Sequence, residues 1–188
     1  MTDSIVTEVA KKIRDAIETA RNANSFELST FDLDYDYDGR DVEGGLEEGK
    51  VYVTVIVPQT YLYVGRVSRT QLGYFAGFDV DIRTKFGTGQ QVGDAALLEK
   101  QQIDRVIRLG EQIHGLWETL ESAGTWLTLS TAGLIGEWIA PEDERGAKVG
   151  ISDRQKSQHF ATYIEQVLAE QRIIYGICRE VFMFTEGT

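Results

Sequence analysis

The segment FDLDYDYDGR, residues 31–40, sets an acid at every second position: Asp32, Asp34, Asp36 and Asp38, with Gly39 after them. Carboxylates at such spacing could ligate a hard cation. A calcium-binding EF-hand loop takes acids at positions 1, 3 and 5, glycine at 6 and a bidentate glutamate at 12. Counted from Asp34, the residues Asp34, Asp36, Asp38 and Gly39 fit, but position 12 is Gly45; counted from Asp32, Glu43 falls at 12 and Tyr37 at 6. No frame satisfies both ends, and the flanks are an alternating run and a glycine-rich link instead of helices. The residues read better as a strand, with Phe31, Leu33, Tyr35 and Tyr37 turned inward and the carboxylates outward. Weak surface binding of a divalent cation is the alternative.

Other chemistry is sparse. His114 and His159 are the two histidines, and neither stands in a G-x-S-x-G, H-E-x-x-H or Cys/His metal spacing, so the chain reads as no enzyme. His114 borders the apolar stripe of a predicted helix; His159 sits in the polar run SDRQKSQH. The glycines of GTGQQVG (Gly87, Gly89, Gly93) follow a strand and open a helix, the setting of a phosphate-binding loop. Their spacing is wrong and no Walker lysine follows, so this is a connection. Cys178, the single cysteine, has no disulfide partner within the chain and reads as a small core residue in a reducing compartment.

Nineteen basic against thirty acidic residues give a net charge of −11, which disfavours a large phosphate-binding surface and hence a nucleic-acid grip. A length of 188 residues, 42% hydrophobic and 26% charged, suits one folded domain. The N-terminus MTDSIVTEVAKKI mixes acids and lysines, and no stretch approaches ~18 uncharged apolar residues. We therefore expect no signal peptide and no membrane partner, with synthesis in the cytoplasm of the producing cell.

The elements that must position these residues follow from periodicity. Val6, Val9, Ile13, Ala16, Ile17 and Ala20 mark an amphipathic helix from Ser4 to about 22–24. A strand of about ten residues follows to the Asp38-Gly39 turn. After an acidic link with Glu43, Glu47 and Glu48, KVYVTVIVP predicts a covered strand closed by Pro58. Residues 58–71 read as a loop. LGYFAGFDVDIRTKF, 72–86, alternates as a long strand, with Asp79, Asp81, Arg83 and Lys85 on one wet face. Asp94 caps a long helix whose stripe is Ile103, Val106, Gly110, Ile113, Trp117 and Leu120. Strand-like pieces occupy 126–130 and 134–139, and a polar loop 140–158 follows. Ser152-Asp153 predicts a third helix carrying Phe160, Tyr163, Ile164, Val167 and Leu168, and RIIYGICREVFMF is a final strand. The order predicts an α+β fold, a mostly antiparallel mixed sheet with helices packed on one face.

This succession, SIVTEVAKKIRDAI, an aromatic strand, KVYVTVIVP, YFAGFDVDIRTKF, LLEKQQIDRVIRLGEQIHGLWETL and IIYGICREVFMF, resembles tail terminator or tail completion proteins of long-tailed bacteriophages and prophages. The resemblance covers about 4–122 and 165–185 and rests on order and pattern; the chain departs from it between Trp126 and Gln158, which is longer and more polar. It implies a single domain over 1–188 that forms a homo-oligomeric ring, a hexamer, capping the tail tube and joining it to the neck. Its implied partners are the tail tube protein and a neck or connector protein, with DNA only in passage through the channel, and its place is the virion, at the head–tail junction. It implies no enzymatic activity and no cofactor, and no site residue transfers by motif. The acids Asp32, Asp34, Asp36 and Asp38, or Glu43, Glu47 and Glu48, would then face the channel or a basic neighbouring ring, where negative charge keeps passing DNA from sticking. A different neck or head-completion component, and a non-enzymatic module with weak calcium affinity, are the other readings.

Overall fold

The computed structural model describes residues 3–37, 46–58, 62–66, 72–85, 92–124, 126–130, 133–139, 160–163 and 173–186. The first helix, α1 (Ile5–Asn22), begins where the Ser4 side chain accepts the Thr7 N–H, closing one of the donors a helix start leaves open. Its stripe of Val9, Ala10, Ile13, Ile17 and Ala20 is buried. The chain leaves it through Asn24, whose positive φ of 55° turns the backbone sharply; Asn tolerates that region better than most residues.

Among the described residues eight strands follow, with one more helix among them: β1 (Asp32–Asp36), β2 (Val51–Ile56), β3 (Leu62–Arg66), β4 (Leu72–Lys85), α2 (Val92–Ala123), β5 (Leu127–Thr128), β6 (Leu134–Trp138), β7 (Phe160–Tyr163) and β8 (Ile173–Glu186). The sheet runs β1-β2-β4-β8-β6-β5, with β3 paired to β4 and β7 to β8. Among the pairs of named strands described, only β1 with β2 is parallel; the others are antiparallel. The spine is β4 with β8, paired without a break from Gly73 with Thr185 to Lys85 with Ile173. The expected α+β class, with helices on one face of a mixed and mostly antiparallel sheet, is what the chain forms.

Alternation decides which residues meet the helices. Val51, Val53 and Val55 of β2, Ala76, Phe78, Val80 and Ile82 of β4, and Ile174, Cys178, Phe182 and Phe184 of β8 form one buried cluster with the stripes of α1 and α2. From α2 come Val106, Leu109, Ile113 and Trp117, close to the stripe expected from its spacing. Trp117 stacks on Trp126, ring centres 5.5 Å apart, and meets Phe182 edge-on at 5.9 Å, so aromatic packing joins α2, β8 and the start of the β5–β6 hairpin. Cys178 is buried, as expected of a lone cysteine with no disulfide partner in the chain.

Four local expectations need correction. The predicted third helix is, at Phe160–Tyr163, the strand β7 hydrogen-bonded along β8; Phe160 and Tyr163 are as compatible with a strand as with a helix, and pairing with β8 decides. The loop 58–71 contains β3, a hairpin partner of β4. The first strand is five residues long, because Phe26 and Phe31 leave the extended run to pack on each other, rings 6.0 Å apart, both buried. Helix α2 starts at Val92, ahead of the expected cap at Asp94. The loop predicted over 140–158 lies outside the described residues.

Candidate functional site

The face of the sheet opposite the helices is where the predicted acids lie. Tyr35 and Leu33 turn toward α1 and are half-buried, and the aspartates between them point the other way. Tyr35 is held from above by cations of α1, Lys11 at 5.6 Å and Arg14 at 5.4 Å from its ring centre. Tyr37, expected inward, is 56% exposed, one residue past the last pairing of β1 with β2.

Register extends the aspartates into rows. Asp32 lies beside Tyr52, Asp34 beside Thr54 and Asp36 beside Ile56. Tyr52 then leads to Arg83, Thr54 to Asp81 and Ile56 to Asp79, and β8 ends the rows with Tyr175, Ile177 and Arg179. Five carboxylates and two guanidinium groups therefore share one face across four strands. Arg179 donates from Nε and Nη2 to the two oxygens of Asp79 at 2.6 and 2.7 Å, a bidentate pair. Arg83 donates to Asp81 at 2.9 Å and its guanidinium lies 4.9 Å from the Tyr175 ring centre.

Asp81 corrects the expectation of one wet face: it is only 3% exposed. Burial pushes its carboxyl up, against the pull of a hydrogen bond with Tyr175 and the charge of Arg83. The Tyr175 hydroxyl is driven well above its usual range, first by burial and then by the Asp81 charge. A buried carboxylate held with a phenol and a guanidinium marks the sort of place where function concentrates.

Toward the edge the charges are more exposed. Lys50 joins the two acidic groups of the sequence, with its Nζ 2.7 Å from Asp32 and 3.8 Å from Glu47. Glu48 is exposed and its backbone bridges to Lys85. The carboxylates of Asp34 and Asp36 accept the N–H groups of Tyr35 and Tyr37 at 2.8 and 2.6 Å. Asp38 and Glu43 lie outside the described residues. Among the described residues no group of three or more His, Cys, Asp or Glu side chains is arranged to hold a metal ion, and no helix is long and apolar enough to cross a membrane.

A second polar constellation lies on the helix side, at the seam of α2 with β6 and β8. Glu180 is fully buried; one oxygen lies 3.0 Å from Nδ1 of His114 and the other accepts the Trp138 indole N–H at 2.8 Å. The hydrogen bond to Glu180 raises the His114 pKa, opposed by burial. Nearby, Glu121 accepts the Trp126 indole and the Trp138 backbone N–H, and Glu8 of α1 accepts both the N–H and the hydroxyl of Ser130 at 2.6 Å. These carboxylates bind helices to the β5–β6 region.

Sequence reasoning located the acidic strand and missed both constellations. Asp79, Asp81 and Arg83 alternate visibly, as do Tyr175 and Arg179, but nothing local says which of them are cross-strand neighbours. Glu180 did carry a signal: it interrupts the alternating core positions Cys178, Phe182 and Phe184, and a charge there requires a buried partner. No protein-family model matches the chain, and no curated protein matches it.

Proposed function

We propose that the chain is a structural subunit of a long-tailed bacteriophage or prophage, of the tail terminator or tail completion type, working as a ring at the head–tail junction of the virion. The observation that supports this reading most is the charged outer face of the sheet. Its side chains are spread in rows across β1, β2, β4 and β8 and bonded largely to one another, Asp79 with Arg179, Asp81 with Arg83 and Asp32 with Lys50. Such a surface suits packing and charge presentation rather than turnover of a substrate. The exposed end at Asp32, Asp34 and Glu47 supplies negative charge for a channel wall or a basic neighbouring ring, where it hinders adhesion of DNA in passage.

Ring subunits of one kind bury the same two patches around a closed circle. Light scattering of the purified protein, alone and co-produced with a tail tube protein of a long-tailed phage, gives the mass of the assembly, and negative-stain class averages give its order. A sixfold ring is expected, on its own or templated by the tube. A twelvefold ring binding the portal side supports a different neck component instead. A monomer under both conditions that is thermally stabilised by calcium overturns the ring reading in favour of a calcium-binding module.

A further inference from the structure

Among the described strands, β1 is one end of the sheet. The Asp36 carbonyl accepts the Val57 N–H at 2.7 Å, so the backbone groups of Asp32, Asp34 and Asp36 point to β2. By alternation those of Leu33, Tyr35 and Tyr37 point out of the sheet, toward an edge with which no described strand pairs, and such an edge offers donors and acceptors to any extended chain. Two of the three outward donors are closed: the Asp34 carboxylate takes the Tyr35 N–H and the Asp36 carboxylate the Tyr37 N–H. Each acid precedes the amide it covers, which is what a period of two places within reach. The row is also a line of like charge, and a second β1 brought alongside would set carboxylates against carboxylates.

We propose that the alternating aspartates are a guard on this edge, in which Asp34 and Asp36 occupy the outward amides with their own carboxylates and so prevent β1 from taking up the β1 strand of a second copy. The acids are thereby explained by what they block. The guard stands independently of the ring: it says that contacts between copies in the native assembly leave the β1 edge unused.

The double variant D34A/D36A removes the caps at positions outside the core, Asp34 exposed and Asp36 half-buried, and D34N/D36N removes the charge but keeps an oxygen that can accept the same amides. Sedimentation velocity across a concentration series compares each with the wild type at neutral pH, and hydrogen exchange reads the Tyr35 and Tyr37 amides. D34A/D36A should gain mass beyond the wild-type species as concentration rises, at least doubling it, with the two amides newly protected in the larger species. D34N/D36N should stay at the wild-type mass. If D34A/D36A keeps the wild-type mass with these amides unprotected, the edge is not guarded by these residues. If D34N/D36N associates as strongly as D34A/D36A, charge and not capping is the barrier, and the proposal is overturned in the form given. The mass of the wild type, measured alone and with a tail tube protein, decides the ring, so the two readings fail separately.

Discussion

Three buried carboxylates, Glu8, Glu180 and Asp81, are less than a tenth exposed, and each survives in the interior because its oxygens are occupied. Glu8 receives two hydrogen bonds from Ser130, so truncation leaves a backbone N–H and a hydroxyl without their acceptor. Glu8→Ala should cost about 2–3 kcal/mol in urea unfolding, and Glu8→Gln, which keeps an acceptor, clearly less. At the seam, His114 is raised in the folded state by its bond to Glu180. A raised pKa means that folding favours the protonated ring, so this contribution is fully present below the unfolded value of about 6.5 and fades as pH climbs through the folded value. The stability gap between wild type and His114→Gln should therefore be wider at pH 6 than at pH 9, as read from urea midpoints. A gap that does not change with pH would mean that the pair does not depend on the charge of the ring.

At the scale of elements, the β5–β6 hairpin is seated through a close approach. A Cβ at Gly136 would run into the side chain of Leu127 and come within 2.9 Å of Phe184, which are both buried. Gly136→Ala should thus overpack the hairpin against β8 and lower stability by about 1–3 kcal/mol in thermal or urea unfolding. Helix α2 is anchored by Trp117, which is fully buried, yet its indole nitrogen has no hydrogen-bond partner among the described residues. Trp117→Ala should cost about 3–5 kcal/mol. Trp117→Phe retains most of the ring contact and relieves the unpaired donor, so its loss should be smaller by a margin visible in the same titration. The elements most legible from sequence were those with long runs of one period, α1, β2, β4, α2 and β8. Shorter ones such as β3 and β7 owe their extended form to pairing with β4 and β8, which no local pattern records.

On the scale of the whole molecule, one cluster of buried side chains takes members from both helices and from β2, β4, β6 and β8. A domain held by a single core unfolds cooperatively. Trp117, Trp126 and Trp138 all lie at the α2–β6–β8 seam. Tryptophan fluorescence and far-UV circular dichroism should therefore report one coincident urea transition. Two separated transitions would show that the seam melts apart from the β1–β2–β4 part of the sheet.

Composition and periodicity by themselves determined the α+β class, the two amphipathic helices, the covered β2 strand and the outward acids of β1, because each depends on one element's own spacing of apolar and polar residues. They also placed Cys178 in the core. The tertiary structure alone decided that Asp79 meets Arg179, that Asp81 is buried with Arg83 and Tyr175, and that Glu180 lies between His114 and Trp138. These are contacts between residues far apart in the chain, set by strand order and register. A shift of one residue in that register would turn every one of these side chains to the opposite face.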